Sequence, residues 1–255
     1  MSASWLQPAG FGAQVGALMT TRDGGVSVAP WDSMNLGDAV GDDADAFAHN
    51  RRRFARVTGA LPVFLRQVHG VRVATITRAD AAVGAPRLQA DASVTVEPGV
   101  ACTVLVADCL PVLMSAPEGR AVAAAHAGWR GLAAGVVEGA LHVVCEAANC
   151  EPGDVTCWLG ACIGPRQFEV GADVLQAFGG DAASGGRFIA RDVPAGAAPK
   201  WLADLPGLAR DRLRGAGVRR VGGGAWCTLE DRARFFSFRR DGLTGRMAAA
   251  IWIRR

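Results

Sequence analysis

Short apolar segments separated by Gly and Pro are the feature that most constrains how this chain folds. Several of them are continuously apolar, which is typical of strands that are covered on both faces. The pattern therefore predicts an α/β fold with a mixed β-sheet core that is flanked by helices. The segments with the length and composition of strands are 13–20, 63–68, 71–76, 92–96, 102–107, 112–116, 121–125, 154–159 and 246–253.

Two segments have the apolar periodicity of amphipathic helices. Residues 131–148 carry one apolar stripe, and residues 203–214 form a second helix with Asp204 as its N-cap. The stretch 179–199 is rich in Gly, Ala and Pro, and is predicted as a mobile loop beside the functional site. No internal repeat and no linker divides the chain, so we expect residues 1–255 to form a single domain and a monomer.

Composition limits the cellular compartment and the classes of binding partner that we expect for this chain. The seven Cys are odd in number and have no C-x-x-C spacing, which favours a reducing environment. The first residues lack the pattern of a signal peptide, and no long uncharged apolar run predicts a membrane span, so a cytoplasmic protein is expected. Residues 201–255 carry 12 Arg against 5 acidic residues, but no recognisable nucleic-acid-binding module surrounds them. We therefore expect no nucleic acid and no membrane among its partners.

Three apolar segments end in a side chain that can bind a metal. The segments lead to His69, Cys109 and His126, and strand ends are where open α/β sheets place ligand crevices. Two imidazoles and a thiolate suit Zn²⁺ with one open position, and copper is also chemically possible. The chain has four His and no His-x-His pair, which excludes a multicopper oxidase. A cytidine-deaminase-type zinc site is excluded too, because His-x-Glu and Pro-Cys-x-x-Cys are absent.

Polar residues near these strand ends predict a site for an anionic substrate. Gly128 and the residues after it join a strand to a helix, which presents free backbone N–H groups beside the charge of Arg130 and suits phosphate. Arg66 and Asp108 are further candidates for substrate binding, and Asp108 is also a candidate to orient a ligand or accept a proton. Cys162 stays undecided.

A series of motifs resembles one family along almost the whole chain, from about residue 17 to the C-terminus. The motifs are Thr20-Thr-Arg-Asp-Gly-Gly-Val-Ser27, Asn35-Leu-Gly, Val40-Gly-Asp-Asp43, Gln67-Val-His-Gly70, Ala107-Asp-Cys-Leu-Pro111, His126-Ala-Gly-Trp-Arg-Gly131 and Phe236-Ser-Phe-Arg-Arg-Asp-Gly242. They are similar, in matching order, to those of the YfiH or laccase-domain family.

The resemblance implies a YfiH-like α/β fold and a metal site, usually described with zinc, at His69, Cys109 and His126. It also implies purine nucleoside phosphorylase activity on adenosine, inosine and methylthioadenosine, adenosine deamination, and for bacterial members a link to peptidoglycan editing. With Arg66, Asp108, Gly128 and Arg130, the motif residue Asn35 is assigned to substrate binding.

Two other functions stay open at this point. Cys109 and His126 could form a thiolate–imidazolium pair that hydrolyses amides, for example in cell-wall peptides. Alternatively, the chain could be a non-catalytic nucleotide-binding module that acts through its basic C-terminal region. We favour phosphorolysis, with the phosphate near Arg130 and the metal acting on the substrate, because binding alone does not require a thiol between two imidazoles.

Overall fold

Two large β-sheets form the centre of the molecule. The computed structural model describes residues 5–82, 84–180 and 185–255. Its strands are, in chain order, β1 (Val15–Met19), β2 (Leu61–Phe64), β3 (Val73–Thr75), β4 (Ala92–Thr95), β5 (Val100–Val106), β6 (Leu110–Ser115), β7 (Val122–Ala127), β8 (Thr156–Leu159), β9 (Glu169–Val170), β10 (Phe188–Arg191), β11 (Lys200–Ala203), β12 (Arg220–Gly223) and β13 (Met247–Ile253). Its α-helices are α1 (Ala44–Thr58), α2 (Trp129–Ala134), α3 (Val136–Ala148), α4 (Ala172–Ala177), α5 (Leu205–Gly215) and α6 (Phe238–Asp241).

Both large sheets mix parallel and antiparallel strands. One has the order β1-β13-β5-β2 and the other β12-β8-β6-β7-β4-β3, while β10, β11 and β9 form a small antiparallel sheet. β2 runs parallel to β5, and β12 parallel to β8, whereas β13 pairs antiparallel with both of its neighbours. The predicted mixed α/β fold is confirmed.

The two large sheets face each other, and a helix covers the outer face of each. Val104 of the first sheet and Leu113 of the second are buried in one shared apolar cluster. Phe54 of α1 packs on the outer face of the first sheet, and Leu141 of α3 on that of the second. Alternate residues of β7 enter the inner and the outer cluster, which is why this strand is apolar on both faces.

The helix predicted over residues 131–148 is in fact two helices. α2 and α3 meet at Gly135, whose φ of 102° lies in the left-handed region that glycine adopts without the cost of a Cβ atom. The apolar stripe of α3 is buried as predicted, and His142 on its opposite side is exposed. The prediction of one continuous helix is wrong because apolar periodicity continues across a residue that interrupts the backbone.

The stretch 179–199, predicted as a loop, contains a strand. β10 pairs antiparallel with β11, and its first residue, Phe188, is buried and lies 6.0 Å from Phe178 between ring centroids. The remaining residues of β10 are exposed, so this edge strand lacks the apolar alternation that would reveal it. Residues 181–184 of the stretch lie outside the described residues.

The second predicted helix is confirmed as α5. The Asp204 side chain accepts a hydrogen bond from the backbone N–H of Gly207, which is the bond expected of an N-cap. No helix in the described ranges is both long and apolar enough to cross a membrane.

Candidate metal centre

His69, Cys109 and His126 lie side by side at one edge of the two sheets. His69 is in the loop after β2, Cys109 is in the turn between β5 and β6, and His126 is near the carboxyl end of β7. Their possible ligand atoms all lie within 4.8 Å of one another, and Cys109 Sγ is 3.7 Å from His69 Nε2. The three side chains that the sequence singles out therefore form one group, called the metal group below, although they come from segments that are 17 to 57 residues apart.

The donor set suits a tetrahedral zinc ion, and the distance between Cys109 and His69 is the one such an ion requires. Zn–S bonds of about 2.3 Å and Zn–N bonds of about 2.0–2.1 Å place sulfur and nitrogen about 3.6 Å apart at a tetrahedral angle. The Sγ–Nε2 distance of 3.7 Å is close to that value. His126 is buried, whereas His69 is exposed and Cys109 partly so, which leaves one side of the group open to a further ligand. The same donors are also compatible with copper.

Asp91 connects the ring of one histidine with the backbone of the other, a role that the sequence pattern does not indicate. Its Oδ1 lies 2.9 Å from His126 Nδ1, which leaves Nε2 of that ring for the metal group. The same carboxylate accepts hydrogen bonds from the backbone N–H groups of Val68, His69 and Gly70 at 2.8–3.2 Å. Asp91 is fully buried, and although burial acts to raise its pKa, the bonds to His126, Gly70 and Val68 lower it. An Asp just before a strand gives no sequence signal for such a role, because turn-capping Asp is common there.

The loop that carries His69 is also fixed to the first sheet. β2 ends at Phe64, four residues before the end of the strand predicted over 63–68. Gln67 Nε2 donates to the carbonyl oxygen of Leu105 at 2.8 Å, and Gln67 Oε1 accepts from the Leu105 N–H at 2.7 Å. The side-chain amide of Gln67 thus takes the place of a backbone partner beside β5. The backbone of the loop can therefore leave the sheet and bring His69 next to Cys109.

Unusual backbone conformations occur next to the metal group. His69 has φ 60° and Asp108 has φ 100°, a region that non-glycine residues seldom adopt. Asp108 is held by Thr228 Oγ1, which donates to its Oδ1 at 2.6 Å, and by the Arg239 N–H, which donates to its Oδ2 at 2.7 Å. Both carboxylate oxygens therefore have protein partners, and Asp108 supports the turn that presents Cys109.

Gly128 is needed because the metal group leaves no room for a side chain there. A Cβ atom on Gly128 would lie 2.8 Å from His69 Cδ2 and 3.1 Å from Cys109 Sγ. Three residues later, a Cβ on Gly131 would lie 2.8 Å from the carbonyl oxygen of Gly70. The glycines of this turn thus allow α2 to pack directly against the ligand loops.

Without a metal, the site favours a charged pair of Cys109 and His126. Burial acts to raise the pKa of the Cys109 thiol, but the positive charge of His126 and hydrogen bonds from both histidines lower it to about 6. Burial acts to lower the pKa of His126, but the Cys109 thiolate and the Asp91 carboxylate raise it to about 9. A thiolate is the form in which Cys binds metals and acts as a nucleophile.

The metal group lies in a cavity of about 660 Å³, within the range typical of small-molecule sites. Apolar walls are supplied by Leu65, Val106 and Phe238, and positive charge by Arg66, Arg87 and Arg246. Arg66 is thus placed at the cavity as expected. Phe238 and Arg246 were missed, although Phe238 lies inside a quoted motif and Arg246 follows it closely. Of the stretch 179–199, none of the residues that the structure describes lines the cavity.

The other expected substrate-binding residues do not line this cavity. Asn35 is fully buried, and its side chain bonds to Gly37, to Asp42 and to the backbone N–H of Arg246, all at 2.9 Å. It therefore positions the cavity wall rather than facing a ligand. Arg130 is exposed, and its Cζ lies 4.3 Å from the centroid of the Trp129 ring.

Cys162, left undecided by the sequence, is fully buried in the apolar core. Its Sγ contacts the carbonyl oxygen of Ile163 at 3.5 Å, and burial raises the pKa of its thiol well above the ordinary value. Its backbone pairs with Cys227 in an isolated bridge. These contacts give it the character of a small core residue.

Known proteins resemble the chain over nearly its full length. Residues 16–254 match the family model described as multi-copper polyphenol oxidoreductase laccase. A Pseudomonas aeruginosa protein named purine nucleoside phosphorylase PA4543 is 47% identical, over 99% of this chain and 98% of its own. The purine nucleoside phosphorylase YfiH of Escherichia coli is 46% identical, over 98% of this chain and 96% of its own.

Solved structures agree with these matches. The crystal structure of the Neisseria meningitidis protein NMB0706 has a TM-score of 0.88 at 41% identity, covering 98% of this chain and 99% of its own. The Bacillus licheniformis protein YfiH has a TM-score of 0.90 at 29% identity, covering 99% and 97%. On its sequence and its fold alike, the chain belongs to the YfiH family, whose family model carries the laccase description.

Proposed function

We propose that this protein is a zinc-dependent purine nucleoside phosphorylase acting on adenosine, inosine and S-methyl-5′-thioadenosine. The observation that carries the proposal is the group of His69, Cys109 and His126 on the floor of a cavity that also has apolar and cationic walls. Relatives that are 46–47% identical carry the name purine nucleoside phosphorylase, which supports the same reaction class.

The charged, aromatic and metal-binding residues of the cavity each meet a chemical requirement of phosphorolysis. Phosphorolysis breaks the bond between the sugar and the base, and the departing purine takes the bonding electrons. Arginines in the cavity lower the electrostatic cost of that negative charge, and the exposed ring of Phe238 offers a surface on which a base can stack. Zinc, when bound by the three ligands, supplies a Lewis acid beside the substrate.

The same site is proposed to deaminate adenosine as a second activity. Water would replace the amino group at C6 of the purine, releasing ammonia and leaving inosine. Because the group of His69, Cys109 and His126 is not of the cytidine-deaminase type, its metal would be held by a different donor arrangement. Ammonia release and free-base release distinguish the two activities in one assay.

Copper-dependent oxidation of phenols does not fit the ligand inventory. The chain has four His, of which His49 and His142 lie on helices α1 and α3, outside the metal group. Within the described ranges, one group of three side chains could hold a metal. A multicopper oxidase needs several copper ions and therefore many more imidazoles.

The test is product analysis with adenosine, with and without phosphate, paired with metal analysis. Wild type is expected to contain about one zinc per chain and to release adenine and ribose 1-phosphate only when phosphate is present. Cys109→Ala should lose both the zinc and the adenine release. The exposed residue His142 provides a matched control, since His142→Ala should keep both. Normal phosphorolysis by His126→Ala would contradict the proposed mechanism.

The second candidate function is amide hydrolysis by Cys109 and His126. The lowered pKa of the thiol and the raised pKa of the imidazole favour it, because together they describe a thiolate–imidazolium pair. It predicts that fully metal-free protein hydrolyses amide substrates such as cell-wall peptides. If metal-free protein is inactive on amides and regains phosphorolysis with zinc, this candidate is excluded.

A further inference from the structure

Two arginines of the metal cavity have no carboxylate partner. Arg66, Arg87 and Arg246 all line the cavity, and of these only Arg87 forms an ion pair, with Asp38. Within the described ranges, no Asp or Glu lies within ion-pair distance of Arg66 or Arg246. A cavity that keeps uncompensated positive charge beside a metal group is suited to an anion.

Arg246 is held in place by its backbone and by its stem. Its backbone N–H donates to Asn35 Oδ1 at 2.9 Å, and its Cγ lies against Gly37, where an added Cβ would come within 2.7 Å. One terminal nitrogen, Nη1, donates to the carbonyl oxygens of Thr244 and Gly245 at 2.9 and 3.1 Å. Nε and Nη2 have no acceptor among the described residues, so donors of a fixed guanidinium stay available.

The nearby acidic side chain does not use those donors. Asp108 precedes the ligand Cys109, but its two carboxylate oxygens accept from Thr228 and from the backbone of Arg239. The planar guanidinium of arginine matches two oxygens of a phosphate at once. The unpartnered donors of Arg246 therefore favour an oxyanion in the cavity that Arg246 and Cys109 both line.

The turn that the sequence favoured for phosphate is less suitable. Gly128 faces His69 and Cys109 so closely that even a methyl group would collide, so no ligand fits between them. The helix that follows, α2, has six residues, and Arg130 is stacked on Trp129 outside the cavity lining. The structure thus places Arg130 outside the lining of the metal cavity and leaves no room for an anion between Gly128 and the metal group.

We propose that Arg246, assisted by Arg66, binds the inorganic phosphate that is consumed in the reaction, inside the metal cavity. The proposal rests on the proposed function and locates its second substrate. An oxygen of HPO₄²⁻ forms the bond to C1′ of the sugar while the bond from C1′ to N9 breaks. The electron pair of that bond goes to the purine, which takes up the proton of the phosphate. The products are the sugar 1-phosphate and the free base, and no other reactant is required.

The test is steady-state kinetics with phosphate varied at saturating adenosine. Arg246→Gln should raise the KM for phosphate at least about tenfold, since it removes a charged partner, and Arg246→Lys should restore part of the loss. Arg66→Gln should raise it by a smaller factor. Arg120, which is exposed and outside the cavity, provides the matched control, since Arg120→Gln should leave the KM unchanged. The KM for adenosine should change less than the KM for phosphate, and the zinc content should stay at the wild-type value.

Two results would overturn the assignment. One is an unchanged KM for phosphate in Arg246→Gln; the other is a rise of that KM in Arg130→Gln instead. Calorimetric titration of the zinc-loaded wild type and Arg246→Gln with inorganic phosphate keeps this test separate from the proposed function. If wild type binds phosphate through Arg246 but releases no adenine, the anion site stands and the proposed reaction fails. If wild type turns over and both variants bind phosphate equally well, the anion site fails and the reaction stands.

Discussion

The residues around the metal group, which form the floor of the cavity, and those of its wall are built in different ways. On the floor, His126 and Asp91 are buried, and Asp91 alone accepts bonds from three backbone N–H groups and one ring. On the wall, the side chains of Arg66 and Phe238 are exposed. The difference indicates that the proposed metal group depends on close packing, whereas these exposed side chains of the proposed substrate wall can change at little cost to the fold.

The largest effect is expected from Gly128→Ala on the floor. The new Cβ would overlap His69 Cδ2, so the ligand loops must separate and zinc binding should weaken more than a hundredfold. Zinc content after gel filtration measures the loss. Gly139→Ala is the matched control, because its Cβ would meet Val73 Cγ2 at an ordinary 3.5 Å and should leave zinc bound. Full zinc occupancy in Gly128→Ala would show that the floor is looser than its packing indicates.

The next effect is expected from Asp91→Asn. The amide keeps the shape of the carboxylate but loses its charge, and its nitrogen cannot accept the N–H bonds that hold the His69 loop. Loss of such a partner behind a metal ligand weakens metal affinity about 10- to 100-fold. Competition with a zinc chelator measures the change, and Asp192→Asn at an exposed position serves as the control. Equal zinc affinity of Asp91→Asn and Asp192→Asn would show that Asp91 does not support the metal group.

Removal of zinc should reveal the charge pair on the floor. In metal-free protein, the pKa of about 6 makes Cys109 mostly thiolate at pH 7, so its alkylation by iodoacetamide should rise through pH 6 and then level off. His126→Gln removes the neighbouring positive charge, which should move this midpoint upwards and slow the reaction at pH 7 about tenfold. Peptide mapping by mass spectrometry between pH 5 and 9 follows the reaction.

The alkylation experiment carries its own controls. Cys102 is fully buried and its pKa is raised to about 12, so it should stay unmodified in the folded protein. In zinc-loaded protein, the bound zinc should protect Cys109 from alkylation. A midpoint near the ordinary thiol pKa of about 8.5 would argue against a charge pair, and with it against the amide hydrolase.

The smallest effect is expected on the wall, from Phe238→Ala. The ring is 56% exposed, so its loss should barely alter the melting temperature. Loss of stacking should raise the KM for adenosine about fivefold with little change in kcat, which is at the lower end of base–aromatic stacking energies. Leu243→Ala, at a side chain that is 55% exposed and outside the cavity, is the control. A loss of zinc in Phe238→Ala would contradict the separation of wall and floor.

The sequence predicts the strands and the three metal-group residues better than it predicts their supports. Continuously apolar segments identify β5, β6 and β7, because strands buried on both faces leave a strong local pattern. The roles of Asp91 and Gly128 depend on what lies opposite them in space, and no local pattern records that a carboxylate meets residues more than 20 positions away. The same reason explains why the sequence points to Arg130 and not to Arg246 as a cationic residue of the site: a strand-to-helix turn is visible in sequence, whereas the lining of a cavity is not.

The link that Asp91 makes between the His69 loop and the His126 ring has a consequence for how the ion is acquired. Zinc fingers fold only when the ion arrives, because nothing else holds their ligands together. Here hydrogen bonds to Asp91 already hold the His126 ring and the backbone of His69, so the proposed ion would be taken up by a site that has already folded. On the proposed function, loss or exchange of the metal would then change the activity of this chain without unfolding it.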